Sequence, residues 1–188
     1  MQNRTPDTGW AEAADGTPLS TDLASAVMGA RRRAARDGDR QIDTAHLLHT
    51  LLEADPGARQ SFPGGPAQVA RLLGYLVQRT IGYGLRWTGT VEDSGALPAL
   101  PALPADPVPG WSPAAAAAMR GACARARARG AVRVEGTDLL AALLRDPRCR
   151  AVDVLLRAGV DTALLAARLD EPDRSACPKE MICQDHKG

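Results

Sequence analysis

One stretch of this chain is written twice: Leu19 to Leu52 recurs from Trp111 to Leu144 at a constant offset of 92 residues, without a gap. The offset aligns Ser20 with Ser112, Ala26 with Ala118, Gly29 with Gly121, Ala30 with Ala122 and Gly38 with Gly130. It then aligns Ile42 with Val134, Asp43 with Glu135, and the quartet Leu47, Leu48, Leu51, Leu52 with Leu139, Leu140, Leu143, Leu144. A duplicated unit builds a pseudo-twofold pair, and the surface shared by its copies is a natural place for a ligand.

The composition selects the class of fold. Apolar residues make up 45% of the 188, yet only 3% are aromatic, so the core must be Ala and Leu. That supply suits close-packed helices better than a sandwich of strands. The expectation is an all-α protein, with flanks that leave room for one domain of roughly 150 residues or two half-size units sharing a core. A net charge of +1 provides no global field for nucleic acid or an anionic membrane. Apolar runs are broken by Arg or Pro well before the ~18 residues a membrane span needs, and the polar N-terminus lacks a signal-peptide core, so the chain reads as cytoplasmic. Four unevenly spaced cysteines, Cys123, Cys149, Cys177 and Cys183, read as free thiols rather than a disulfide framework.

Residues 1–18 read as a flexible arm anchored, if at all, by Trp10. A first helix opens at Ser20-Thr21-Asp22 and closes at Gly38; its copy opens at Ser112-Pro113 and closes at Gly130. Short extended links centred on Ile42 and Val134 lead to second helices beginning at Thr44 and near Gly136, whose leucines fall at i, i+1, i+4, i+5. Pro56 and Pro147 follow them. The later helices are less alike: 66–73, interrupted at Gly74 and resumed through Leu76, Val77 and Ile81, against 149–158 and a last helix capped at Asp161-Thr162 and ending near Leu169. Residues 88–110, with Pro98, Pro101, Pro104 and Pro107 at every third position, form a linker. The expected order is arm 1–18, repeat 19–87, linker 88–110, repeat 111–170 and loose tail 171–188.

Ile42-Asp43-Thr44-Ala45-His46-Leu47-Leu48, Val134-Glu135-Gly136-Thr137-Asp138-Leu139-Leu140 and Ala158-Gly159-Val160-Asp161 resemble the repeat of the Clp N-terminal domain, the adaptor- and substrate-docking module of Clp unfoldases. The resemblance covers roughly residues 19 to 170, and duplication, order and spacing carry it together. It implies an eight-helix bundle of two four-helix repeats with pseudo-twofold symmetry, no catalysis and no cofactor, and a role in binding proteins or peptides. Adaptor or substrate receptor for a Clp-type protease is the first expectation; an accessory subunit docked on the protease or unfoldase ring is the second. No AAA+ module accompanies it: Lys179 and Lys187 are the only lysines and neither lies in a phosphate loop, so no ATP site is expected. Some family members hold phosphoarginine with a glutamate in each Gly-Thr-Glu-His motif. Those positions are Ala45 and Thr137 here, which implies lost or weak phosphoarginine binding. The aromatic and hydroxyl positions at the start of each first helix are kept as Leu19-Ser20 and Trp111-Ser112, and these four are the expected peptide-binding residues.

Other constellations yield less. Ser20 and Ser112 also serve as helix caps, and Trp111 as a cover for the seam between repeats. His46 and His49 stand at i, i+3 but without an evident third ligand, and Cys177, Cys183 and His186 are three donors in a loose tail, so no metal site is assigned. An arginine-based nucleic-acid regulator is the alternative of another class. It would need Arg31, Arg32, Arg33, Arg36 and Arg40, or Arg125, Arg127 and Arg129, on one face with stacking aromatics, which the pattern disfavours. No nucleophile–base pair supports an enzyme.

Overall fold

Ser20 and Ser112 open the two copies in the same way. In the computed structural model, which describes residues 17–39, 41–80, 92 and 110–171, both have extended backbones, φ −63°, ψ 157° and φ −67°, ψ 152°. Each hydroxyl accepts an amide three residues on: Leu23 N–H at 3.3 Å and Ala115 N–H at 3.1 Å. Helix α1 (Thr21–Asp37) ends on Gly38, whose left-handed φ of 74° lets its N–H reach the carbonyls of Ala34 and Ala35. Helix α5 (Pro113–Ala128) starts with proline, which has no amide to leave unpaired there, and is followed by left-handed Gly130.

Helices α2 (Thr44–Ala54) and α6 (Gly136–Leu144) carry the leucine quartets. Leu47, Leu48, Leu51, Leu52, Leu139, Leu140 and Leu143 are fully buried or nearly so, each contributing about 2 kcal/mol; Leu144 packs at the margin. Each first helix lies tightly on its second. A Cβ on Gly29 would stand 3.1 Å from Thr50 Cγ2, and one on Gly121 would stand 3.2 Å from Ala142 Cβ. Thr50 and Ala142 are themselves related by the repeat offset, so both copies use the same glycine for the same close approach.

The later helices diverge. Helices α3 (Pro56–Gln60) and α4 (Gly65–Thr80) complete the first half; α7 (Arg150–Arg157) and α8 (Thr162–Asp170) complete the second. Two expectations are corrected. Pro56 does not merely follow α2: Asp55 caps a new helix and Pro56 is its first residue. The expected interruption at Gly74 is absent. Val69, Leu72 and Leu76 bury one continuous face, and Gly74 has open space at its Cβ position. The roughly 1 kcal/mol that a helical glycine costs is offset by that face.

The described residues are thus all-α, eight helices in two sets of four, without a strand. Two isolated parallel bridges reveal the pseudo-twofold axis: Leu19 pairs with Val134, and Trp111 with Ile42. Exchanging the repeats, Leu19 forward by the offset to Trp111 and Val134 back by it to Ile42, turns the first pair into the second. Ser20 N–H donates to Val134 O at 2.9 Å and Ser112 N–H to Ile42 O at 2.8 Å, so each first helix is seated on the other repeat's extended link. Pro18, at the expected end of the arm, accepts from Val134 N–H at 3.0 Å. Trp10, Arg40, Ile81, the prolines 98–107 and the tail's Cys177, Cys183 and His186 lie outside the described residues. No helix among the described residues is long and apolar enough to cross a membrane.

Candidate binding site

The crossed bridges bring Leu19, Ser20, Trp111 and Ser112 to the seam between the repeats, where all four are buried. The two serines share a backbone setting but differ in company. Ser20 only caps α1, whereas Ser112, with no exposed surface, also donates its hydroxyl to Glu92 Oε2 at 3.0 Å. Trp111 Nε1 is buried and has no hydrogen-bond partner among the described residues.

Glu92 belongs to the segment expected to be linker, and sequence reasoning missed it. Its carboxylate is buried at the meeting of three helix N-termini. Oε2 accepts Thr44 N–H at 2.8 Å, from the start of α2, besides the Ser112 hydroxyl at the start of α5. Oε1 accepts Arg150 N–H at 2.6 Å, from the start of α7, and the Thr44 hydroxyl. Thr44 Oγ1 in turn accepts Ala151 N–H at 3.0 Å. Backbone amides at helix starts have no partner within their own helix and attract negative charge, which accounts for a carboxylate here. The Arg150 guanidinium is drawn aside to Asp43 Oδ2 at 2.7 Å.

A second junction lies across the axis. The offset maps Thr44 to Gly136 and Ala58 to Arg150. Asp55 fills this junction: its Oδ1 accepts Ala58 N–H at 2.8 Å, and its Oδ2 lies so close to Gly136 that a Cβ there would be 1.9 Å away. The counterpart of Asp55 in the second repeat is Pro147, and the cap residue of α7, Cys149, makes no side-chain capping bond. One junction takes its carboxylate from an adjacent helix cap, the other from Glu92.

Burial pushes the Cys149 thiol up to about 11, with the nearby Glu92 carboxylate adding to the shift and a hydrogen bond involving the Val152 backbone opposing it. The thiol is therefore protonated at neutral pH and ill suited to be a nucleophile. Ala45 is fully buried and Thr137 half-buried, so the two motif positions present no carboxylate. His46 does have acids about it, contrary to the sequence reading: Asp39 Oδ2 lies 3.2 Å and Asp37 Oδ2 3.8 Å from Nε2, while Nδ1 accepts Asp43 N–H. Asp39, Asp43 and His46 are close enough together for an ion. Both Asp43 oxygens are already engaged, however, with His46 N–H at 2.7 Å and with Arg150, so the group acts as the capping box of α2. His49 faces Glu53 instead, at 3.3 Å.

Several arginines are committed to acids. Arg33 Nη2 donates to both Glu53 carboxylate oxygens at 2.8 and 3.0 Å, Arg129 pairs with Asp138 at 2.6 Å, and Arg125 pairs with Asp170 at 2.5 Å and also reaches the Leu169 carbonyl. These pairs dilute the basic faces that nucleic-acid binding would need.

The described residues define an all-helical class of fold, and solved structures share it. The chain is similar in fold to the crystal structure of the N-terminal domain of the caseinolytic protease associated chaperone ClpD from Arabidopsis thaliana. The TM-score is 0.55 at 18% identity, covering 80% of this chain and 91% of that one. No protein-family model and no curated protein matches the sequence.

Proposed function

We propose that this chain is a non-catalytic protein- or peptide-binding module of the Clp N-terminal type, acting in the cytoplasm as an adaptor or substrate receptor for a Clp-type protease. The supporting observation is the pair of crossed bridges, Leu19–Val134 and Trp111–Ile42, which gives the duplicated unit its dyad, taken with the likeness of the overall fold to a Clp chaperone N-terminal domain. In this reading the chain is organised as arm 1–18, repeat 19–87, linker 88–110, repeat 111–170 and tail 171–188. Leu19, Ser20, Trp111 and Ser112 are the proposed binding seam. Because they are buried, a peptide meets them from the rim, and the serines act through the helix N-termini they hold in place.

Co-purification from the native host tests this. Retention of an unfoldase or protease subunit supports the reading, and retention of the ring without any substrate protein favours an accessory subunit. If no Clp component is retained, both lose their basis.

A further inference from the structure

The Glu92 junction has the layout of a receptor for a carboxylate. Each oxygen receives two donors: Thr44 N–H and the Ser112 hydroxyl on Oε2, Arg150 N–H and the Thr44 hydroxyl on Oε1. That two-plus-two pattern saturates a planar carboxylate. The donors come from three different helices, so the rigid bundle assembles them. The acceptor comes from none: Glu92 lies 48 residues from Thr44, 20 from Ser112 and 58 from Arg150 along the chain. Asp55, which fills the matching junction, instead begins the helix whose amide it caps, so its carboxylate is tethered directly beside its donor.

We infer that the cradle formed by Thr44, Ser112 and Arg150 is a carboxylate-binding site, filled in cis by Glu92 and open to the acidic side chain of a partner protein that displaces it. Glu92 is held by hydrogen bonds to amides and hydroxyls, and the Arg150 guanidinium is engaged by Asp43. An incoming glutamate or aspartate would meet the same four donors, so the exchange is near-balanced in hydrogen bonds and is decided by effective concentration. The site shares Ser112 with the proposed seam, but its test needs no Clp component, so either reading can fail without the other.

Two measurements test it. In the first, Glu92→Ala is melted in sodium acetate, in sodium phosphate and in sodium chloride of matched ionic strength. Acetate should raise the midpoint saturably, by roughly 5 °C, while phosphate does less and the wild type gains nothing. Absence of an acetate-specific rise, or an equal rise in phosphate, overturns the inference. Should the variant not fold alone, refolding yield replaces the melt: recovery in acetate supports a carboxylate site and no recovery overturns it. In the second, the wild-type amide resonances of Thr44 and Arg150 are followed while a terminally blocked Gly-Glu-Gly peptide is added. They should move with that peptide and not with Gly-Gln-Gly, and Ser112→Ala should weaken the response several-fold. If they stay fixed at peptide concentrations that saturate Glu92→Ala, Glu92 is a permanent brace and exchange is ruled out.

Discussion

The two junctions across the pseudo-twofold axis solve one problem with different materials. Each joins the start of one repeat's second helix to the start of the other repeat's third helix, and each needs a buried acceptor for helix amides. At one junction the first repeat supplies Asp55 beside its own helix and the second repeat makes room for it with Gly136; at the other the second repeat has Pro147, the first supplies Thr44, and the acceptor is Glu92. After duplication, then, the electrostatic need was kept while the residues meeting it drifted apart in pairs: where the acid is local the facing residue is glycine, and where it is remote the facing residue is a threonine that adds a bond.

The most damaging way to break this contrast is to make the junctions alike. Gly136→Thr would drive a Cβ to 1.9 Å from Asp55 Oδ2 and 2.8 Å from Leu51 Cδ1, and should cost more than about 3 kcal/mol by urea unfolding. Trimming Asp55 to glycine in the same chain should return part of that loss. A cost below about 1 kcal/mol for Gly136→Thr would mean that Asp55 is not where the contrast requires.

Removing each acid comes next. Glu92→Ala strands donors from three helices and should lose about 3 kcal/mol, whereas Asp55→Ala, mainly a lost cap, should lose about 1–2 kcal/mol. Equilibrium denaturation of the two variants orders them, and the reverse order would remove the distinction. A finer probe uses the serines: Ser112→Ala should cost about 1 kcal/mol more than Ser20→Ala, because only Ser112 also bonds to Glu92.

The smallest effect appears only in alkali. Because the folded Cys149 thiol titrates near 11 against 9.0 unperturbed, its contribution is fully present below 9 and is lost as pH rises through 11. At pH 10 the wild type should have lost about 1 kcal/mol relative to its neutral stability that Cys149→Ala does not lose. Glu92→Gln should lower the pH at which the thiol reacts with an alkylating reagent, since the carboxylate charge helps hold the proton on.

Local signals made much of the fold legible. Ser112-Pro113, Gly38, Gly130 and the leucine quartets fix α1, α2, α5 and α6, because caps, left-handed glycines and helical stripes act within a turn or two. Asp55-Pro56 carried an equally local signal for α3 but read as the end of α2, since proline both stops one helix and starts another. Gly74 read as a break because propensity is local, whereas the burial of Leu72 and Leu76 that overrides it is tertiary. The serines of the seam were visible as caps, but their burial was not. Glu92 was hidden: its partners lie 20 to 58 residues away, and no periodicity marks the acidic pair Glu92-Asp93 before a proline-rich run. One clue was present: the repeat alignment sets Thr44 against Gly136, and the same offset carried past Leu52 sets Asp55 against Pro147, two mismatches that the fold turns into one compensated pair at each junction.

The crossed bridges also impose an order on the birth of the molecule. While a ribosome is still extending the first half, the backbone of Leu19 and Ser20 has no mate, because Val134 does not yet exist. Helices α1 and α2 can gather early, but the amino-terminal edge must wait for the sequel, and neither half cut free of the other would carry its own seat.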